Sequence, residues 1–185
     1  MQPAIFIDRD GVIIENRENY VRSWADVEIL PEAVEALRLA SLSKFKIVIV
    51  TNQSGIGKGL IPPEIARQIN RRLLKIITDG GGRIDGVYVC PHTPDDHCAC
   101  RKPKPGLLLT AAKDLAINIS QSIMIGDALT DIQAGQQAGV ATSILVLTGR
   151  GAEQSKLPAA ASLPGFTLFS AITRLLDGEN RLSSG

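Results

Sequence analysis

The feature that most constrains the fold is a regular alternation of short apolar runs with segments of helical periodicity. The runs occupy residues 4–7, 46–50, 84–89, 122–126 and 143–147, with a shorter one at 166–168. The helical segments follow Pro31, Pro62 and Leu107, surround 134–138 and include 172–176. Continuous apolar runs are typical of parallel strands covered on both faces. The sequence therefore predicts an α/β fold with a Rossmann-like parallel sheet flanked by helices.

The length and composition indicate one globular domain. The chain has 185 residues, of which 44% are hydrophobic and 21% charged, as in ordinary folded proteins. We expect a single domain over residues 1–177. The polar end of the chain, residues 178–185, is predicted to be a flexible tail.

The charge balance excludes some classes of partner. Twenty basic and nineteen acidic residues leave a net charge of +1, which favours neither nucleic acid nor an anionic membrane. No segment reaches the roughly 20 apolar residues of a membrane span. Asp8, Arg9 and Asp10 interrupt the first apolar run, so no signal peptide is predicted. We expect a cytoplasmic monomer.

Two aspartates follow the first predicted strand. Asp8 and Asp10 stand at its carboxyl end, directly before Gly11, and ligands of open parallel sheets bind outside such ends. Two neighbouring carboxylates repel each other unless a cation lies between them, which favours Mg²⁺. The alternative is a solvated acidic turn.

Polar residues also follow the second and fourth strands. Thr51, Asn52, Gln53 and Ser54 precede two glycines and could donate hydrogen bonds to a phosphate. The spacing around Lys58 is not that of a P-loop, and a flexible glycine turn is the alternative. Asp127 follows the fourth strand, and Asp131 lies one turn into the next helix.

Residues 12–30, which we call the flap, show no sustained period. They begin beside Asp10 and carry Tyr20 and Trp24. A hairpin covering the site and an ordinary surface loop are both compatible with this segment.

A metal site is predicted after the third strand. All three cysteines and both histidines lie within residues 90–100. Thiolates and imidazole at this spacing suit tetrahedral Zn²⁺, and four protein ligands make the site structural. The predicted ligands are Cys90, His92, Cys98 and Cys100, because His97 adjoins Cys98 too closely. A redox-active or free-cysteine loop is the alternative.

Residues 90–100, which we call the cysteine loop, are followed by Arg101, Lys102 and Lys104, with prolines at positions 103 and 105. Such a run is usually a solvated surface. Here metal on one side and proline on the other would fix the cations, which is typical of a preorganised anion contact. Asp8, Asp10, Thr51, Lys102 and Asp127 then form one predicted constellation.

Taken together, these residues resemble the haloacid dehalogenase superfamily of phosphatases. Asp8 to Gly11 is similar to its first motif, Thr51 to its second, Lys102 to its third, and Asp127 with Asp131 to its fourth. The residues 51–55, the cysteine loop and 101–103 are similar to the heptose-bisphosphate phosphatases, and histidinol-phosphatases share much of this pattern. The segment between Gly11 and Lys46 leaves little room for a separate cap domain.

The resemblance implies a role for each residue. Asp8 is the expected nucleophile, Asp10 the acid and base, and Thr51 with Lys102 the groups that bind the transferring phosphate. Mg²⁺ is expected on Asp8, the backbone carbonyl of Asp10, and Asp127. The expected substrate contacts, besides Thr51 and Lys102, are Arg17, Glu18, Asn19, Tyr20, Asn52, Gln53, Ser54 and Arg101.

The implied activity is Mg²⁺-dependent hydrolysis of a small phosphorylated metabolite, a sugar phosphate, namely removal of the 7-phosphate of the heptose 1,7-bisphosphate. Hydrolysis of histidinol phosphate is the alternative. Val12 stands where a threonine is common, and Ala128 where the heptose enzymes commonly have lysine. Two other classes remain as alternatives, a phosphate-accepting receiver domain and an inactive zinc-stabilised binding module. A receiver would not explain the second carboxylate at Asp10 or the cysteine loop.

Overall fold

The computed structural model describes residues 1–160 and 165–183. The fold is built around a six-stranded parallel sheet. The spatial order of the strands is β3-β2-β1-β4-β5-β6. In chain order the strands are β1 Ala4–Ile7, β2 Lys46–Asn52, β3 Gly86–Cys90, β4 Ile123–Gly126, β5 Thr142–Val146 and β6 Gly165–Phe166.

Helices connect the strands and cover the sheet on both sides. In chain order they are α1 Ala33–Ala40, α2 Ser54–Gly57, α3 Pro63–Asp79, α4 Gly106–Asp114, α5 Leu129–Ala138, α6 Gly151–Gln154 and α7 Leu168–Ser183. Short 3₁₀ turns lie at Trp24–Asp26, Pro94–Asp96, Ile119–Gln121 and Pro158–Ala160. No helix among the described residues is long and apolar enough to cross a membrane.

The two faces of the sheet bury alternate residues of each strand. Ile5 and Ile7 of β1 belong to a cluster that includes buried residues of α1, α3 and α7. Ala4 and Phe6 point the other way, into a cluster with α4 and α5. Because successive side chains of a strand alternate in direction, a run that is apolar throughout fills both layers.

The carboxyl end of β1 lies at the point where the strand order reverses. β1 pairs with β2 on one side and with β4 on the other, and both pairings are parallel. Such a switch point opens a crevice at the carboxyl edge of the sheet. The predicted α/β sheet is therefore confirmed, and no separate cap domain interrupts the part of the chain that the structure describes.

Some element boundaries differ from the sequence prediction. β2 continues through Thr51 and Asn52, which pair with Val89 and Cys90 of β3. Helix α7 extends to Ser183 and so includes most of the predicted tail of residues 178–185. The flexibility of that tail stays a prediction, and residues 184–185 lie outside the described ranges.

The flap folds back on itself as a hairpin-like segment. The Glu15 backbone N–H donates to the Glu28 carbonyl at 2.7 Å, and that of Leu30 donates to the Ile13 carbonyl at 3.0 Å. Trp24 lies under the Arg72 guanidinium of α3, with 4.4 Å between the guanidinium carbon and the ring centre. The hairpin alternative thus describes this segment better than an ordinary surface loop.

Candidate active site

A buried ion-pair chain stands at the carboxyl end of β1. The Lys102 ammonium contacts Asp8 Oδ1 at 2.8 Å and Asp131 Oδ1 at 2.6 Å, and it donates to the Val50 carbonyl at 2.9 Å. All three charged side chains are almost completely buried. Lys102, on the loop after β3, therefore lies between the carboxylate of Asp8, which follows β1, and that of Asp131, in α5.

Burial and neighbouring charge set the protonation of this group. Burial raises the pKa of Asp8 to about 6, with repulsion from Asp131 and Asp10 adding to it and Lys102 opposing it. Burial alone would lower the pKa of Lys102, but Asp131 and Asp8 raise it further than burial lowers it. Lys102 is consequently charged at neutral pH, and Asp8 is mostly ionised there, with protonation setting in as the pH falls toward 6.

Asp127 completes a group of three acidic side chains. Oxygen atoms of Asp8, Asp127 and Asp131 lie within 4.8 Å of one another. Burial, followed by the charge of Asp8, raises the pKa of Asp127, and Arg150 opposes this rise. Hard oxygen donors that are buried and mutually repulsive fit Mg²⁺, because a divalent cation would offset both effects.

The glycine after Asp10 is required by this packing. Gly11 has a φ of +84°, and a β-carbon on it would overlap the carboxylate of Asp127. Asp10 contributes no carboxylate to the acidic group. The Mg²⁺ contact predicted for Asp10 would be made by its backbone carbonyl, and this contact stays a prediction.

The Asp10 carboxylate is held by donors from three directions. Arg9 donates from Nε to Oδ2 at 3.1 Å and from Nη2 to Oδ1 at 3.0 Å. Gln53 Nε2 donates to Oδ2 at 2.7 Å, and the Thr51 hydroxyl does so at 3.3 Å. Gln53 and Thr51, predicted to contact substrate, thus also fix the second carboxylate.

Asn52 lines the predicted pocket, and its side chain also binds the backbone of Lys102. Its side-chain amide donates to the Lys102 carbonyl at 3.0 Å, and its Oδ1 accepts from the Lys102 backbone N–H at 3.1 Å. Both ends of the side chain are therefore bound to the backbone of the lysine. This clasp joins the end of β2 to the segment that carries Lys102.

A cavity of ≈ 570 Å³ opens above these groups. Of the predicted site residues, Thr51, Asn19 and Asp127 do not line it, and Thr51 and Asp127 are buried behind its wall. The Asn19 carbonyl instead accepts from Arg22 at 2.9 Å. The predicted residues that line it are Asp8, Asp10, Arg17, Glu18, Tyr20, Asn52, Gln53, Ser54, Arg101 and Lys102.

Three guanidinium groups line the cavity. Arg17 is bound to Glu28 at 2.9 Å and Arg150 to Asp127 at 3.3 Å. Arg101 donates to the His92 carbonyl at 3.2 Å and forms no ion pair with any described residue. Arg101 is therefore the cation best placed to receive an anion from solution.

The four predicted zinc ligands converge on one point. Cys100 Sγ lies 3.2 Å from Cys90 Sγ, 3.4 Å from Cys98 Sγ and 3.3 Å from His92 Nδ1. Cys90 Sγ lies 3.7 Å from Cys98 Sγ and 3.6 Å from His92 Nδ1. A tetrahedron of thiolates and imidazole around Zn²⁺ has edges of this size, so the donor set fits that ion.

The cysteine loop is fastened to the loop after β2. The Gln53 backbone N–H donates to the Cys90 carbonyl at 2.7 Å, and that of Gly57 donates to the Pro91 carbonyl at 2.9 Å. Lys104 donates to the carbonyls of His97 and Cys98 at 2.9 and 2.7 Å. The cluster thereby supports both the Gln53 segment and the start of the Arg101–Lys102 segment.

The sequence assigned no role to several residues of the site. Asp131 was placed in the fourth motif by its spacing of four from Asp127, whereas Arg9 and Arg150 carry no local signal. Their partners depend on how the loops after β1 and β5 approach the cavity. The other unpredicted lining residues are Glu15, Asn16, Val21, Thr130 and Gly149.

Comparisons with known proteins agree with this geometry. A family model described as HAD-hydrolase-like matches residues 99–167. The chain is 39% identical over 155 residues to the D-glycero-β-D-manno-heptose-1,7-bisphosphate 7-phosphatase of Photorhabdus laumondii, covering 80% of this chain and 82% of that protein. It is also 39% identical over 145 residues to the enzyme of that name from Helicobacter pylori, covering 78% and 83%.

A solved structure agrees over nearly the whole fold. The D,D-heptose 1,7-bisphosphate phosphatase of B. bronchiseptica, crystallised with magnesium and phosphate, superposes with a TM-score of 0.86 at 32% identity. The match covers 95% of this chain and 99% of that one. The chain therefore belongs to the family of D-glycero-β-D-manno-heptose-1,7-bisphosphate 7-phosphatases, within the haloacid dehalogenase-like hydrolases.

Proposed function

We propose that this protein is a Mg²⁺-dependent phosphomonoesterase that removes the 7-phosphate of D-glycero-D-manno-heptose 1,7-bisphosphate through an aspartyl-phosphate. The observation that carries the proposal is the buried Asp8, which lines the cavity with Lys102 on one oxygen and Asp10 two residues away. A nucleophile, a neighbouring cation and a second carboxylate are the groups that such a transfer needs.

Asp8 begins the reaction as an ionised carboxylate. One of its oxygens attacks the phosphorus, and the bond from phosphorus to the sugar oxygen breaks. The leaving alkoxide takes a proton from Asp10, which lines the same cavity. Lys102, 2.8 Å from Asp8 Oδ1, stabilises the negative charge of the transferring group.

Water then releases the phosphate. Asp10, now ionised, accepts a proton from a water molecule whose oxygen attacks the phosphorus. The bond between phosphorus and Asp8 breaks, and its electron pair returns to the carboxylate. Mg²⁺, held by Asp8, Asp127 and the backbone carbonyl of Asp10, would supply positive charge to the phosphoryl oxygens.

The zinc cluster has a separate, structural role in this proposal. Four protein ligands leave no open position for a substrate, so Zn²⁺ holds the cysteine loop and the Arg101–Lys102 segment in place. We also expect a cytoplasmic monomer, a prediction that rests on the sequence.

The substrate is proposed from the named relatives and from the arginines of the cavity. A cavity of ≈ 570 Å³ is within the usual range for small-molecule sites. Arg101 faces it without a carboxylate partner among the described residues, which suits a second phosphate on the substrate. Histidinol phosphate, which carries one phosphate, is the comparison substrate that separates the two activities.

The test measures phosphate release from both anomers of the heptose bisphosphate and from histidinol phosphate. We expect the bisphosphate to have the highest kcat/KM and turnover to require Mg²⁺. Asp8→Asn should abolish turnover because an amide cannot accept the phosphoryl group, whereas Asp79→Asn, on the exposed face of α3, should be active. Normal turnover by Asp8→Asn would exclude the aspartyl-phosphate, and preference for histidinol phosphate would overturn the substrate assignment.

A further inference from the structure

Arg9 is the largest fully buried side chain among the described residues, with an exposed fraction of 1%. A guanidinium group cannot be neutralised in a protein, so its burial requires partners for its charge and its N–H groups. The partners are Asp10, bound through two nitrogens, and Asn70 Oδ1, which accepts from Nη1 at 2.8 Å. The fork geometry of Arg fixes the plane of the bound carboxylate as well as its position.

The two carboxylate oxygens of Asp10 accept different numbers of hydrogen bonds. Oδ2 accepts from Arg9 Nε, from Gln53 Nε2 and from the Thr51 hydroxyl. Among the described residues, Oδ1 accepts only from Arg9 Nη2, at 3.0 Å. The side chain of Asp10 keeps 19% of its surface exposed and lines the cavity. Oδ1 is consequently the oxygen with a lone pair left for a proton.

Asn70 attaches this arrangement to a rigid element. It lies in the middle of α3, half-buried, beside Ile69 and one turn before Leu73, both of which pack in the core. Because Asn70 binds the nitrogen that does not touch Asp10, it limits rotation of the guanidinium group without competing for the carboxylate.

We infer that Arg9, tethered by Asn70, is a positioning residue that holds Asp10 with Oδ1 turned to the cavity as the oxygen that transfers the proton. The inference deepens the proposed function and rests on it, since it assigns the orientation of the proposed acid and base. Arg9 touches neither substrate nor the reacting atoms, so its effect acts through Asp10.

This role differs measurably from simple charge compensation in the core. When the sugar oxygen leaves phosphorus, the P–O bond breaks and the alkoxide takes the proton from Oδ1. An aryl phosphate such as p-nitrophenyl phosphate releases a stable phenolate that needs no proton. A fault in the orientation of Asp10 must therefore slow sugar phosphate cleavage more than aryl phosphate cleavage.

The experiment compares kcat/KM for the heptose bisphosphate and for p-nitrophenyl phosphate in wild type, Arg9→Lys, Asn70→Ala and Asp10→Asn. Arg9→Lys keeps the charge but loses the fork. We expect its kcat/KM for the sugar phosphate to fall about tenfold more than for the aryl phosphate, within the 10²–10⁴-fold that a proton transfer supplies. Asn70→Ala should show the same preference with a smaller loss, and the exposed Gln68→Ala on α3 is the matched control.

A double variant tests whether Arg9 acts through Asp10. In Asp10→Asn, the further change Arg9→Lys should have no additional effect on sugar phosphate cleavage. Equal losses on both substrates, or additive losses in the double variant, would overturn the inference while leaving the phosphatase intact. Asn70→Ala decides the matter if Arg9→Lys fails to fold. A wild type that releases phosphate from neither substrate would overturn the proposed function and the inference together.

Discussion

Arg101 and Lys102 are neighbours in the chain, but their side chains have different surroundings. Lys102 is buried against Asp8 and Asp131. The Arg101 side chain is half-buried and, among the described residues, donates only to the His92 carbonyl. A single phosphoryl group held at Asp8 would therefore lie against Lys102. We therefore expect Arg101 to bind another part of the substrate.

Arg101→Ala should raise KM for a sugar bisphosphate more than for its monophosphate, with kcat little changed. The reason is that the lost contact is shared by ground and transition states. Steady-state kinetics with both substrates checks this, and Arg67→Ala, on the exposed face of α3, controls for loss of positive charge. Equal losses of kcat/KM on the two substrates would show that Arg101 does not bind the second phosphate.

Asn52 offers a second test at the scale of one residue. Because both ends of its amide bind the Lys102 backbone, Asn52→Ala should displace the lysine and lower kcat for every substrate. The loss should reach up to about 100-fold, the cost of a misplacement of about 1 Å. A residue that merely contacts the sugar would raise KM instead. The measurement is kcat and KM on two unrelated phosphomonoesters, with the exposed Gln68→Ala on α3 as control. A change confined to KM would restore the role predicted from the sequence.

At the scale of elements, the cysteine loop, residues 90–100, positions the cations of the site. Cys98 and Cys100 lie three positions and one position before Arg101, and the Cys90 carbonyl accepts from the Gln53 backbone N–H. Burial raises the pKa of the Cys90 thiol to about 12 in the metal-free protein, so a bound cation is needed to hold it as thiolate.

Cys98→Ser should reduce the zinc content well below one equivalent, lower the melting temperature and reduce kcat. The Mg²⁺ affinity should change little, because Asp8 and Asp127 lie on other elements. His97→Asn is the matched control, since His97 has a φ of +47°, which asparagine tolerates, and lies outside the cluster. Full zinc in Cys98→Ser, or its loss in His97→Asn, would contradict the ligand assignment. Elemental analysis of both proteins decides.

The elements themselves were largely predictable, for a physical reason. Runs such as residues 4–7 and 47–50 are apolar at every position and buried, as expected of a strand covered on both faces. The extension of β2 through Thr51 and Asn52 was not predictable from side-chain polarity. These two residues pair with Val89 and Cys90 through their backbones, whereas their polar side chains are typical of a loop. The same limit applies to Arg9, whose burial depends on Asn70, sixty-one positions away.

At the scale of the whole molecule, the acidic group makes the stability of the metal-free protein depend on pH. Asp8 has a folded pKa of about 6 and an ordinary value of 3.8, so between these values the folded state binds more protons than the unfolded state. Stability contributed by protonated Asp8 is thus present at low pH and is lost as the pH rises toward 6. Exposed carboxylates such as Asp26 and Asp96, whose pKa values are lowered by hydrogen bonds from Ser23 and Thr93, act in the opposite direction.

Comparing wild type with Asp8→Asn in a chelator of Mg²⁺ measures the contribution of Asp8 together with its coupling to Asp127, whose pKa the charge of Asp8 raises. From pH 4.5 to pH 7, the unfolding free energy of wild type should fall by about 2 kcal/mol relative to that of Asp8→Asn. Urea unfolding at the two pH values measures the difference. Excess Mg²⁺ should remove this difference in unfolding free energy at pH 7, because the ion binds ionised Asp8 in the folded state. Mg²⁺ and the proton compete for the Asp8 carboxylate, so this stabilisation is absent at low pH. An identical pH dependence in the two proteins would show that Asp8 ionises without cost, and the buried acidic group would then not need a cation.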